Sequence, residues 1–336
     1  MIVLATPPGD ADTSREATAQ RAVEGFVRSI AKEIGSSGST ANLVQVAHGG
    51  EAASESTLRF LLSARSAYVD GQVVRIEPTE ADDVVVPGDW DRALSERVAL
   101  VTGASRGIGE AIASTLARDG AEVVGVDVPG AGEALSAVAN RIGGSSLQLD
   151  ITDTEAPQRI ADHVAERYGR LDALVHNAGI TRDKTLGRMT EEAWDSVIAV
   201  NLTSQERINQ ELLERDLVGA GGRIISVSSV SGIAGNRGQA NYATSKAGIV
   251  GMVRAEAPAM RQRGATINAV APGFIETAMT AAMPIATREA GRRTSSLVQG
   301  GQPVDVAETI GWLASPASSG VNGNVVRVCG QALIGA

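Results

Sequence analysis

The chain has 336 residues, 43% of them hydrophobic and 21% charged, and 30 Lys+Arg against 39 Asp+Glu leave a net charge of −9. That balance argues against nucleic acid as a partner. A single cysteine, Cys329, excludes an internal disulfide framework and a thiolate cluster, while His48, His163 and His176 stand apart without ligand spacing, so no metal site is expected.

The opening MIVLATPPGD has no basic leader, and no stretch approaches the ~20 apolar residues of a membrane span, so no membrane span and a cytoplasmic location are expected. The first ninety residues become informative only when the chain is compared with itself. RAVEGFVRSIAKEI (21–34) matches AGIVGMVRAEAPAM (247–260) at an offset of 226, pairing Gly25 with Gly251 and Arg28 with Arg254. At an offset of 252, residues 56–76 match 308–328, and Thr57, Phe60, Leu61, Ser63, Gly71, Val73 and Arg75 pair with Thr309, Trp312, Leu313, Ser315, Gly323, Val325 and Arg327. Generic amphipathic helices would not hold one register through a loop and into a strand, so residues 1–76 are expected to be a truncated, degenerate copy of the C-terminal half. The acid- and proline-rich segment EPTEADDVVVPGDWDR (77–92) reads as a linker.

From residue 93 to 336 the pattern changes. Short apolar runs at 98–101, 122–126, 146–149, 173–175, 223–227, 266–270 and 325–328 alternate with helical patterns at 110–118, 156–168, 191–217, 242–263 and 305–313. Alternating βαβα with near-continuous apolar strands predicts an α/β fold, a Rossmann-type doubly wound parallel sheet of about seven strands.

TGASRGIG follows the first of these strands and opens a helix. Gly103, Gly107 and Gly109 let the backbone turn sharply and approach a pyrophosphate on a helix N-terminus, with Ser105, Arg106 and Ile108 completing the turn. Asp127 ends the second strand, where a carboxylate accepts from ribose hydroxyls and repels a 2′-phosphate. Arg106 could pair with such a phosphate, but the Asp127 charge would lie against it, so NAD (NADH) is expected over NADP. Asp150-Ile151 after the third strand and Asn177-Ala178-Gly179 after the fourth line the same crevice.

Tyr242 and Lys246, at i and i+4 in NYATSKAG, share one helix face. A neighbouring ammonium is expected to lower the phenol pKa and make Tyr242 an acid–base group. Ser229 ends the ISVSS strand and Asn201 lies on the preceding helical segment.

Together TGASRGIG, the NAG at 177–179, Asn201, Ser229 and Tyr242-x-x-x-Lys246 resemble the classical short-chain dehydrogenase/reductase family. GQANYATSKAG and INAVAPGFIETAMT resemble its bacterial 3-oxoacyl-acyl-carrier-protein reductases, and the tail with the N-terminal half-copy resembles their high-molecular-weight branch. That resemblance implies NADH-dependent reduction of a 3-oxoacyl thioester, on acyl carrier protein or coenzyme A, to the 3-hydroxyacyl thioester. It assigns Ser229 to orienting the carbonyl, Tyr242 to donating the proton, Lys246 to the nicotinamide ribose and to tuning Tyr242, and Asn201 to a water relay. Pro272, Gly273, Ile275 and Thr277 join the cofactor residues, and Tyr242 and Lys246 count among them.

The branch usually carries a longer N-terminal domain with a nucleotide-fold first half. Here no glycine turn precedes residue 21, and the offset of 226 places Glu16 opposite Tyr242 and Gln20 opposite Lys246, so this part is expected to bind no nucleotide. Residues 274–299 are expected to form the substrate lid. Arg288, Arg292 and Arg293, with Arg261 and Arg263, are candidates to meet phosphates of coenzyme A or an acidic carrier protein. Related reductases pair two-fold through the last strand and its helix as homodimers or homotetramers, and residues 56–76 packing on 308–328 would imitate that interface within one chain. A different secondary-alcohol dehydrogenase and a silent scaffold are the alternatives.

Overall fold

The computed structural model describes residues 1–79, 84–281 and 285–332, and within them ten strands form two parallel sheets that share a core. The first sheet, in the order β1-β2-β3, holds β1 (Ile2–Ala5), β2 (Asn42–Val46) and β3 (Val73–Ile76). Its crossovers are α1 (Ser14–Gly35), capped by the Thr13 hydroxyl, and α2 (Glu55–Leu61). β1 escapes the sequence reading because four residues ending before Pro7-Pro8 carry too little periodicity to stand out.

The second sheet has the order β10-β9-β8-β7-β4-β5-β6. Its strands are β4 (Val98–Thr102), β5 (Glu122–Asp127), β6 (Ser145–Gln148), β7 (Ala173–His176), β8 (Arg223–Val227), β9 (Thr266–Pro272) and β10 (Val325–Val328). Alternate residues of β4 serve opposite faces: Ala99 and Val101 pack in one cluster with Ile112 of α3 (Gly107–Arg118), Leu135 of α4 (Gly132–Ile142) and Leu313 of α12 (Pro303–Ala314). Val98 and Leu100 pack in the other with Ile160 of α5 (Ala156–Arg167), Leu212 of α7 (Ser204–Glu214) and Ile249 of α9 (Ala240–Gln262). Helices cover both faces, which is why the strands read as continuous apolar runs.

Three details depart from the sequence reading. α4 went unseen because Gly130, Gly132 and Gly143 obscure a helix whose Leu135, Val138 and Ala139 form a buried stripe. The helix expected over 191–217 is two, α6 (Glu191–Ile198) and α7, separated by a π-helical turn at Ala199–Thr203. The third strand begins one residue earlier than its apolar run suggests. In the linker, residues 84–92 contain only a short 3-10 turn at Trp90–Arg92, with the Arg59 guanidinium 4.5 Å over the Trp90 ring. Residues 80–83 of the linker and 282–284 of the expected lid lie outside the described residues.

α1 packs Val27 and Ala31 with Leu43 on one face of the small sheet. Val44, Val74 and Ile76 on the other face, with Phe60, Leu61 and Tyr68, join the main core. Across this junction Phe60 stacks on Trp312 with ring centroids 4.6 Å apart. The backbone N–H of Arg75 donates to Asn324 Oδ1 at 2.8 Å, and that of Arg327 donates to Gln72 Oε1 at 3.1 Å. These two bonds exchange under the offset of 252, as contacts across a two-fold axis do. Within each unit one asparagine closes the last loop. Asn42 donates to Val69 O and accepts from Gln72 N, and Asn268 donates to Val321 O and accepts from Asn324 N.

Candidate active site

Strand order reverses between β7 and β4, so the loops leaving these strands splay apart and open a crevice at their carboxyl ends. The turn from β4 to α3 lines it. Gly103 (φ +68°) and Gly107 (φ +60°) hold left-handed conformations that a side chain would strain. A Cβ on Gly109 would collide with the Gly103 carbonyl. Arg106, the N-cap of α3, makes no side-chain capping bond, so the first-turn N–H groups remain available to an anion. A dinucleotide pyrophosphate fits this cradle.

The Ser105 N–H donates to Asp127 Oδ2 at 3.0 Å and the Val128 N–H to Oδ1 at 2.9 Å, fixing the carboxylate at the lip of the turn. Asp150 folds back into its own loop, accepting from Thr152 N at 2.9 Å and Thr152 Oγ1 at 2.7 Å, and Ile151 is buried. Asn177 braces the turn: its amide donates to the carbonyls of Thr102 and Gly103, both at 3.1 Å. Thr102 Oγ1 in turn accepts from the N–H groups of Asn177 and Ala178. At the end of β9, Gly273 N donates to Val328 O, the Ile275 side chain is buried, and Thr277 N donates to Thr280 Oγ1.

Asn201 sits in the π-helical turn between α6 and α7, a distortion frequent at functional sites. Its amide donates to Ile180 O and Ser245 Oγ, and its Oδ1 accepts from Ile180 N at 2.8 Å, so it pins the loop after β7. A Cβ on Gly179 would lie 3.3 Å from Asn201 Oδ1 and 3.5 Å from Lys246 Nζ, so the three groups meet. Lys246 Nζ donates to Val227 O at 2.7 Å and lies 5.6 Å from the Tyr242 ring centroid. Ser229 caps α8 (Val230–Ala234), accepting from Ser231 N.

A family model described as enoyl-(acyl carrier protein) reductase matches residues 103–330. The 3-oxoacyl-(acyl-carrier-protein) reductase FabG of Vibrio cholerae is 42% identical over 237 residues, 70% of this chain and 97% of the relative. The FabG reductases of Thermotoga maritima (42%, 72% of this chain and 99% of the relative) and Pseudomonas aeruginosa (43%, 71% and 98%) are similarly related. The chain belongs to the short-chain dehydrogenase/reductase family. It is an oxidoreductase acting on CH–OH groups with a nicotinamide cofactor.

In this family member the expected electrostatics of the tyrosine are reversed. Withdrawal from water pushes the Tyr242 phenol above its ordinary pKa, with the Ser229 hydroxyl beside it pulling the other way. The ammonium of Lys246 faces the Val227 carbonyl rather than the phenol oxygen, and its own burial lowers its pKa to about 8. A protonated phenol at neutral pH suits an acid, whereas a phenolate would suit a base. Lys246 carries its charge below that pKa and loses it above. The kcat/KM for ketone reduction is therefore expected to fall as pH rises through about 8, and a profile flat to pH 10 would contradict the assignment.

Arg292 and Arg293 lie in the segment expected to form the lid, but acids of the same segment occupy them. Arg292 is held by Glu276 and Glu289, and Arg293 by Glu289. Arg261 pairs with Glu77, and Arg263 donates to Leu213 O. Arg261 and Arg263 end a helix that starts at the site, roughly 30 Å away at 1.5 Å per residue. Arg261, Arg292 and Arg293 are thus paired with acids and Arg263 with a carbonyl, while Arg288, in the helix Ile285–Arg293, has its Nε buried without a hydrogen-bond partner, so the five do not form one phosphate-binding cluster. Sequence reasoning also missed the supporting residues Thr102, Ser228 (Oγ to Lys246 O, 2.8 Å), Gln205 (Nε2 to Asn201 O, 2.8 Å) and Ser245. Thr102, Ser228 and Ser245 adjoin or lie within the quoted motifs; Gln205 carries no comparable signal.

Proposed function

We propose that this chain reduces 3-oxoacyl thioesters, on acyl carrier protein or coenzyme A, to 3-hydroxyacyl thioesters. The observation that carries this reading is the meeting of Ser229, Tyr242, Lys246 and Asn201 at the switch-point crevice of a domain about 42% identical to FabG reductases. The glycine turn at Gly103–Gly109 and Lys246 would hold the nicotinamide dinucleotide, which would supply the hydride for the new C–H bond at C3. Ser229 holds the 3-carbonyl oxygen, and Tyr242 donates its phenolic proton to that oxygen as negative charge develops there. Lys246 orients the nicotinamide ribose, with its ammonium fixed by Val227 O, and Asn201 keeps the loop after β7 and the lysine in register. Steady-state reduction of acetoacetyl-CoA, compared with crotonyl-CoA and a panel of steroid, sugar and polyol ketones, tests the reading. Turnover confined to the last group, or absent altogether, would refute it.

NADH is the proposed reductant. Asp127, held by Ser105 N and Val128 N, presents a fixed charge where an adenosine 2′-phosphate would arrive. Asp127→Ala is expected to erode the preference for NADH over NADPH by roughly 10-fold or more, the worth of one charge contact of ~1.5–3 kcal/mol. Paired KM values for the two cofactors read this directly, and cofactor titration is expected to give one site per chain.

The same proposal treats residues 1–76 as a degenerate, non-catalytic copy of the C-terminal half, residues 77–92 as the linker and residues 93–336 as the catalytic domain. The exchanged Arg75/Asn324 and Arg327/Gln72 bonds and the matching Asn42 and Asn268 brackets support it. Gln20, opposite Lys246, accepts from Thr6 N just beyond β1, as Lys246 meets Val227 at the end of β8. Self-association as a homodimer or homotetramer belongs to this reading, with light scattering as its measure.

A further inference from the structure

Between β9 and α12 the chain makes an excursion, residues 274–301, that carries α10 (Ala278–Ala281) and α11 (Ile285–Arg293) and leaves the sheet at the carboxyl end of β9, the edge on which the crevice opens. Its two limbs meet at one place. Gly301 N donates to Phe274 O at 3.0 Å, and Glu276 N donates to Gly301 O at 2.8 Å. The group that fills the space beside this meeting point comes from the N-terminal unit: a Cβ on Gly301 would collide with the Tyr68 ring.

Tyr68 is 2% exposed and its hydroxyl donates to Gln299 O at 2.8 Å. Ser295 Oγ donates to the same carbonyl at 3.0 Å. Burial pushes the Tyr68 phenol up to about 12, so it stays a donor across the working pH range. A second grip lies one turn away. Gly35, at the end of α1, lies so close to Ser296 that a Cβ would stand 2.6 Å from its carbonyl oxygen. Ser296 Oγ bonds Gln331 Oε1, and Gln331 Nε2 donates to Arg28 O at 2.7 Å.

The backbone held between these grips is strained. Val298 (φ +55°) and Gln331 (φ +51°) occupy the left-handed region, which a β-branched valine enters only when its surroundings impose it.

We propose that Tyr68 is a positioning residue for the acyl substrate, through which the N-terminal unit fixes the returning limb, residues 294–301, of the excursion beside the crevice. This rests on the 3-oxoacyl reductase reading for the identity of the substrate, but not for the anchoring itself. It gives the non-catalytic unit a part in catalysis: it sets the shape of the substrate side without touching cofactor or reacting atoms.

The test is Tyr68→Phe and, separately, Ser295→Ala in the full chain, each removing one of the two donors to Gln299 O. Hydrogen exchange of peptides covering 294–301 is expected to accelerate in both variants. The KM for acetoacetyl-CoA is expected to rise roughly 3- to 10-fold, the worth of one hydrogen bond, while kcat and the KM for NADH stay within about two-fold. Unchanged exchange in 294–301 would overturn the proposal. So would faster exchange across the whole N-terminal unit with kcat and both KM values moving together, which is the signature of general destabilisation. If the unmodified protein turns over no 3-oxoacyl thioester, the functional reading fails by itself, and the exchange measurement alone then decides whether Tyr68 anchors the limb.

Discussion

Tyr242→Phe is expected to lower 3-oxoacyl thioester reduction by roughly 10²–10⁴-fold, the range for losing a positioned general acid. Cofactor affinity should survive, because the phenylalanine ring keeps the place beside Lys246 and the ammonium remains held by Val227 O. Single-turnover reduction of acetoacetyl-CoA and NADH titration by fluorescence give the two numbers. A variant that retains a tenth or more of the activity would remove Tyr242 from its role. One that loses NADH binding as well would show that the hydroxyl helps to hold the cofactor, and the lost activity would then not measure proton donation. The expectation rests on the raised phenol pKa, which keeps the group protonated at neutral pH, as the proposed role of proton donor requires.

Phe60→Ala is expected to be the most damaging change outside the crevice. Phe60 stacks on Trp312 at the junction of the two units and belongs to the same buried cluster as Val101 and Ile112 beneath the glycine turn. Truncating a buried phenylalanine costs ~3–5 kcal/mol from lost transfer energy and the cavity left behind. Chemical denaturation should show that loss in a transition shared by both units, because one core spans them. Two separated transitions, with only the first shifted, would mean that the units fold independently. Removing residues 1–79 altogether is expected to bare Trp312 and the Val326 side of β10, and to change the oligomeric state.

Much of the site was legible because its residues are tied to strand ends. A glycine turn, an acid and a serine each follow an apolar run, and parallel topology brings such ends to one edge. The Tyr242–Lys246 spacing needed only helix geometry. What was illegible depends on three-dimensional neighbours. Nothing in NYATSKAG says that Lys246 will face Val227 O, or that withdrawal from water will outweigh the ammonium and raise the phenol pKa. The π-helical turn at Asn201 leaves the apolar spacing of its flanks intact, so one helix was read where there are two. Arg292 looked free because Glu276 is sixteen residues away and comes beside it only when α11 folds back on the segment after β9.

The exchanged bonds between Arg75 and Asn324 and between Arg327 and Gln72 carry a consequence for how such a contact can change. In a two-fold dimer of identical subunits each substitution is applied twice, and the contact comes apart on dilution. Here the two sides are separate positions of one polypeptide. Gln72 and Asn324 already differ, Phe60 faces a tryptophan, and either side can be altered while the other is held constant. Because a short tether joins the sides, their association is intramolecular and independent of protein concentration. Selection can therefore tune one half of the contact at a time, at a single dose, with the crevice on only one side of it.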